Sequence, residues 1–312
     1  MAVITPKPLS QPLQATQFTG TTHRSWLPVK ALAEREVVRF FRQRNRVVAA
    51  VVTPLVFWLM LGLGLDRALV VSPAVDHAST ASASETTTFT TNTGVGYLAY
   101  FFPGVVVLMV LFTAIFTTIS VIEDRREGFL QGVLVSPASR GSIVLGKAVG
   151  GTIITLLQAG LMLILGIALF GWPGLGALLG SLLVLALIAV GLTGVGLAFA
   201  WPMDSTAGYH AVMNLLLMPM WLLSGAVFPV ETATGPVKWL MLCNPLTYGQ
   251  TLLTWWWTGG ATGMPPGGPW VSLAVTAAAA LLALMAATWV AHRPEGIRGK
   301  RTSRRQTRVK PA

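Results

Sequence analysis

Six apolar stretches, at about 47–65, 101–122, 143–170, 175–200, 211–230 and 270–291, set the limits on what this chain can fold into. At about 1.5 Å per helical residue, each is long enough to cross roughly 30 Å of hydrocarbon. Apolar residue types make up 53% of the chain and charged types 11%, where a soluble domain carries about 25% charged residues. The mean hydropathy of +0.66 agrees. Cys243 is the single cysteine and cannot pair within the chain, so a disulfide scaffold is excluded. The expected fold class is an all-α polytopic membrane protein: six transmembrane helices, an N-terminal interfacial amphipathic helix and both termini cytoplasmic.

The net charge of +11 would suggest nucleic acid in a soluble protein. Here the basic residues flank apolar runs, which points to topology and anionic lipid, with no nucleic-acid partner. Eight Lys/Arg lie in 1–46 and eight in 292–312; three more lie in 123–142, and Lys147 follows at the edge of the third run. Only Arg67 and Lys238 fall in the alternate loops, 66–100 and 231–269. A surplus of Lys/Arg marks the cytoplasmic side. Both ends of the chain are therefore expected inside, in a bacterial plasma membrane.

The first run, with 46 residues before it, is too long for an ordinary signal-peptide core and is expected to stay as a span. Residues 1–26 read as a disordered cytoplasmic tail and 292–312 as a basic one. In 27–46, Leu32, Val37, Val38, Phe40 and Phe41 alternate with Arg35, Arg39, Arg42 and Arg46. That pattern predicts a basic amphipathic helix on the inner interface. Gly171-Trp172-Pro173-Gly174 predicts a tight turn, making 143–170 and 175–200 a hairpin. Loop 66–100 is Ser/Thr-rich. Loop 231–269 carries Leu240-Met241-Leu242, Leu252-Leu253 and Trp255-Trp256-Trp257, too apolar for a free loop. It predicts short helices that dip back into the outer leaflet or cap the bundle, and the Trp triplet also fits an interfacial aromatic belt.

The spans hold almost no ionisable group. Lys147 is expected to snorkel to the inner surface, and ion-coupled transport usually needs carboxylates or histidines at membrane depth. His23, His77, His210 and His292 are scattered, so no metal site is expected and no catalytic constellation can be assembled. Gly141 to Ala148 nearly matches a phosphate-binding loop, but Ala148 replaces the required hydroxyl and no strand precedes it. The polar residues left inside include Thr113, Thr117, Ser120, Gln158 and Thr193, suited to helix–helix bonds or a weakly polar path. Gly146/Gly150 and Gly176/Gly180 allow close helix approach. Phe57, Trp58, Phe101, Phe102, Phe112 and Phe116 are candidates to line a path for an amphipathic substrate. With no ATPase site here, the chain is not itself an enzyme, and uphill transport needs energy from another chain.

Residues 123–142 form a loop between two spans. Glu123, Asp124, Arg125, Arg126 and Glu127 cluster at its start, and Gly128 follows. Phe129, Leu130, Val133 and Leu134 then recur on one helical face, closed by Ser136-Pro137. A short amphipathic helix of this kind is suited to a groove in a cytoplasmic partner. The loop resembles that of permease subunits of type-2 ABC exporters, the group with drug-resistance and lipo-oligosaccharide exporters. The matching residues are Glu123, Arg126, Glu127, Gly128, Leu134, Ser136 and Pro137; Phe129 stands where a Thr often follows the Gly. Ser224-Gly225-Ala226-Val227-Phe228-Pro229 and Asn244-Pro245-Leu246-Thr247-Tyr248 also resemble family motifs, at the end of the fifth span and in the outer segment after it.

The resemblance implies a dimer of permeases with two ATP-binding subunits. ATP and Mg would be held by those partners, and this chain would bind no cofactor. It implies that 123–137 is the coupling helix, with Asp124, Arg125 and Leu130 among its contacts, and that the complex exports a drug, lipid or glycolipid. The alternative class is a membrane scaffold or assembly subunit that transports nothing.

Overall fold

The computed structural model describes residues 26–65, 70–71, 95–129, 132 and 139–293. The expectations for the tails 1–25 and 294–312, for most of loop 66–94, and for Leu130, Leu134, Ser136 and Pro137 lie outside the described residues. Among the described residues, ten α-helices follow one another: α1 (Trp26–Arg42), α2 (Arg44–Leu65), α3 (Tyr97–Thr118), α4 (Ser120–Arg126), α5 (Arg140–Phe170), α6 (Leu175–Ala200), α7 (Thr206–Trp221), α8 (Gly235–Cys243), α9 (Pro245–Trp257) and α10 (Pro269–His292). Two-residue strands, β1 (Val70–Val71) and β2 (Val95–Gly96), pair antiparallel at the start of α3.

Among the described residues, five stretches are helices long and apolar enough to cross a membrane: Arg44–Gly64, Tyr97–Arg126, Arg140–Phe170, Leu175–Ala200 and Pro269–His292. The expected span at 211–230 differs. Its helix, α7, has 16 residues and carries Pro219, then widens into a π-turn over Leu222–Ala226. Pro219 has no N–H for the helical ladder, and Gly225 at φ 85° lies outside helical geometry. Glycine adopts that conformation without the Cβ penalty of other residues.

α3 is the centre of the bundle. Of its most apolar window 89% is buried, against 22–39% for the other four spans. A helix apolar on all sides is one that other helices surround, and α2, α5, α6 and α9 pack around it. Gly171 to Gly174 connects α5 and α6 as a hairpin, and α10 packs along α6.

The Gly pairs have other tasks than span–span packing. A Cβ on Gly146 would lie 2.8 Å from Leu32 Cβ and 3.1 Å from the Val29 carbonyl; one on Gly150 would lie 2.9 Å from Glu36 Cβ. The two glycines are thus the seat on which α1 lies, so α1 is docked on α5 through Leu32, Ala33 and Glu36. Gly180 instead makes room for Trp256, and nothing lies within 4 Å of a Cβ on Gly176.

Trp257 is buried, with its ring centroid 5.1 Å from that of Phe102, and Trp255 and Trp256 pack on the same core. α9 folds back against α3, α6 and α10, so Trp257 fills the bundle end with Trp255 and Trp256 half-buried beside it.

Candidate coupling site

The chain turns out of the bundle at Gly128. α4 continues the direction of α3, and Glu127 closes it, its N–H bonding to the Glu123 carbonyl at 2.9 Å. Gly128 follows at φ 77°. A Cβ there would meet nothing within 4 Å, so this glycine serves the turn and not a close approach.

Just before that turn, four elements meet in one ion network. Asp124 of α4 is fully buried. Arg35 of α1 grips it with both Nη atoms, at 2.8 and 3.2 Å, and Arg39 donates to the same carboxylate. From the other side Lys147 Nζ of α5 donates to Asp124 Oδ2 at 2.7 Å, to Glu36 Oε1 at 2.6 Å and to Ser120 Oγ at 3.0 Å. Arg39 also reaches Glu123 at 2.9 Å and Glu127 at 3.3 Å, and Arg46 of α2 pairs with Glu123.

Four cations, Arg35, Arg39, Arg46 and Lys147, thus face four carboxylates, Glu36, Glu123, Asp124 and Glu127. Neutrality is what allows the cluster to be buried, since an unpaired charge at this depth is heavily penalised. Burial works to lower the Arg35 pKa, but the hydrogen bond and charge of Asp124 outweigh it and hold that pKa above its ordinary value. The Arg35 guanidinium also lies 3.7 Å from the Phe129 ring centroid, so the network reaches the first residue beyond the turn.

Lys147 therefore does not snorkel. It is 3% exposed and points into the protein, because two carboxylates and a hydroxyl take its three N–H groups. The same contacts remove any phosphate-binding role for the Gly141–Ala148 stretch.

Among the described residues, the acidic side chains pair with α1, α2 and α5, while the adjacent arginines reach the turn after α6. Arg125 Nη1 donates to Asp204 Oδ1 at 3.3 Å and also reaches the Trp201 carbonyl, while Arg126 donates to the Asp204 carbonyl at 2.6 and 3.0 Å. These two arginines tie α4 to the turn between α6 and α7. Sequence reasoning missed Glu36, Ser120 and Asp204 as members of this site. The available signal was Lys147, the one lysine inside an apolar run, together with Glu36 on the face of α1 that carries Leu32 and Ala33.

At the opposite end of the bundle, the two outer-segment motifs meet. The Gly225 kink frees helix carbonyls, and side chains from the second motif satisfy them. Asn244 Nδ2 donates to the Met220 carbonyl at 2.6 Å and Thr247 Oγ1 to the Leu223 carbonyl at 3.2 Å. Asn244 Oδ1 caps α9 by accepting from the Leu246 N–H at 3.1 Å, with Pro245 at the first helical position. Tyr100 Oη donates to the Gly225 carbonyl at 2.6 Å and Tyr97 Oη to the Val227 carbonyl at 3.0 Å. Ser224 bonds back to the Trp221 carbonyl, Phe228 packs beside Val230 and Met241, Pro229 leads into a 3₁₀ turn, and Tyr248 reaches the Leu242 carbonyl.

The six aromatic residues considered for a path do not line one surface. Trp58 and Phe102 pack together with Phe170, with centroids 5.5 to 6.2 Å apart. Phe101 stacks on Tyr97 at 5.6 Å and is fully buried. Phe57 faces outward. Phe112 and Phe116 stack half-buried, 6.5 Å apart, with His210 of α7 against Phe116.

Helical architecture with several apolar helices and a charged cluster at one bundle end defines a multi-pass membrane protein of the transport-permease class. The family model described as ABC-2 type transporter matches residues 28–257, and the chain belongs to that family. It is similar to a probable multidrug ABC transporter permease, YbhR, of Escherichia coli K12: 31% identity over 43% of this chain and 36% of that protein. Nodulation protein J of Rhizobium leguminosarum bv. viciae is 27% identical over 51% of this chain and 62% of its own length. The ycf38 protein of Pyropia yezoensis, named as a transport permease, is 25% identical over 76% and 77% respectively. Several of the curated relatives it matches are spanned over only about a third to a half of their length.

Proposed function

We propose that this chain is the membrane-spanning subunit of an ATP-driven exporter in a bacterial plasma membrane. It works as a homodimer with two copies of a separate ATP-binding subunit, which hold the ATP and Mg. The observation that carries the reading is the neutral eight-group network binding α1, α2, α4 and α5 together immediately before the Gly128 turn. Because α4 continues α3 and carries the network's carboxylates, a push on segment 127–137 reaches α3, the central helix, through α4. The basic end of the bundle faces the cytoplasm, following the Lys/Arg distribution. The α8–α9 end faces outward. The substrate is amphipathic, a drug, lipid or glycolipid, in keeping with apolar, aromatic spans and with the multidrug description of one relative.

The test is Gly128→Trp and Glu127→Arg, made separately in the co-expressed complex. Glu127→Arg sets a second guanidinium beside Arg39 at an exposed position. Both variants should insert and dimerise, while substrate-stimulated ATP hydrolysis and export fall. Normal export by both would remove this segment as the transmission element.

A further inference from the structure

From the charged network a line of polar groups continues into the bundle, between α3–α4 and α5. On α3–α4 it consists of Asp124, Ser120, Thr117 and Thr113, which recur every three or four residues on one face. On α5 it consists of Lys147, Gly151 and Gln158, also on one face. α3 runs toward the charged end and α5 away from it, so the rungs match. Lys147 bonds Asp124 and Ser120. A Cβ on Gly151 would lie 3.3 Å from Thr117 Oγ1 and 3.4 Å from Thr193 Oγ1 of α6. Thr113 Oγ1 donates to Gln158 Oε1. The eleven-residue steps from Asp124 to Thr113 and from Lys147 to Gln158 each span about 16 Å of helix, roughly half of a 30 Å hydrocarbon layer.

Two groups on this line are left over. Gln158 Nε2 and Thr193 Oγ1 have no hydrogen-bond partner among the described residues, and their side chains are 5% and 0% exposed. A buried polar group without a partner disfavours the arrangement that buries it, and favours one in which water reaches it. The other faces of α3 carry different contacts. Toward α2 and α9 it meets Trp58 and Trp257, and toward α7 the Thr118 and Tyr209 hydroxyls satisfy each other at 2.5 Å.

We propose that the α3–α5 seam is the line along which the bundle admits water when the transporter changes state, with Gln158 as its innermost stop. This rests on the permease reading, since a driven change of state is what opens the seam. Displacing α4 separates Asp124 and Ser120 from Lys147 first, then Thr117 from Gly151, then Thr113 from Gln158.

Two measurements test it. In the first, Thr117→Cys in a Cys243→Ser background is exposed to a water-soluble methanethiosulfonate reagent, in the complex with its ATP-binding subunit, with and without ATP and vanadate. Labelling should differ about tenfold between the two conditions, as expected if the open state rises from about 1% to about 10%. Val106→Cys, buried on the same helix, should stay slow in both. Equal rates at 117, or equally fast labelling at 106, overturn the proposal. The second needs no partner. Gln158→Leu removes the leftover amide and should raise the Tm of the isolated permease by about 2 °C; a lowered Tm would make Gln158 ordinary structural glue and overturn the proposal. If no ATP-binding subunit responds to the permease, the permease reading has failed, and the Tm result alone decides the seam.

Discussion

Lys147 Nζ lies 2.7 Å from Asp124 Oδ2 across the α4–α5 interface, where Asp124 is fully buried and Lys147 is 3% exposed. Arg35 and Arg39 of α1 hold the same carboxylate. One side chain therefore contacts two other helices at once, and together with Glu36, Glu123 and Glu127 it balances the cations that meet there.

Asp124→Ala should leave those cations unbalanced in a buried site, and the expected cost is about 3–5 kcal/mol. Glu127→Ala should cost only ~0–1 kcal/mol, because the Glu127 side chain is 61% exposed. Thermal unfolding of the two variants in detergent checks the ranking. Equal losses would mean that burial does not set the weight of these pairs.

Gly150→Leu should lift α1 from its seat. Even a Cβ would sit 3.1 Å from the Ala33 carbonyl, and overpacking of this kind costs about 1–3 kcal/mol. Limited proteolysis should cut α1 sooner in the variant. Gly176→Leu is the control, since nothing lies within 4 Å of that position, and it should leave the cleavage rate unchanged.

Gly225→Ala should destabilise the bundle by about 1–2 kcal/mol through its left-handed backbone, and by more where the new methyl presses on Thr251 Cγ2 at 3.2 Å. Asn244→Ala should lose a similar amount, about 1–2 kcal/mol, with the cap of α9 and the bond to the Met220 carbonyl. The two sites are coupled through the kink, so a double-mutant cycle should show less than additive loss. Full additivity would show that the two motifs act separately.

A membrane-impermeant maleimide should label Thr80→Cys, in a Cys243→Ser background, from outside intact cells. Ser303→Cys should be labelled only after permeabilisation. The reverse pattern would invert the sidedness drawn from the Lys/Arg distribution.

Much of the fold was legible because a long apolar run has few alternatives in lipid. The α5–α6 hairpin follows directly from two such runs around Gly171-Trp172-Pro173-Gly174. In the run at 211–230 hydropathy does not register backbone geometry: Pro219 lies inside α7 and Gly225 kinks the π-turn that follows, within one apolar stretch. The acidic cluster at Glu123–Glu127 was visible as a site, but its partners were not. Arg125 and Arg126, adjacent in sequence, point to the Asp204 turn instead, since consecutive helical positions face different ways.

The sequence by itself determined that this chain crosses a membrane as helices, which end carries the positive charge, and where the chain turns, because hydropathy, charge and Gly/Pro placement act locally. Only the tertiary structure decided that Lys147 turns inward, that α1 lies on Gly146 and Gly150, and that Asn244 serves the kink at Gly225. Each of these joins residues between 19 and 117 positions apart. A buried charge or a freed carbonyl is satisfied by whatever the packing brings within about 3 Å, and no local pattern in the chain records which residue that is.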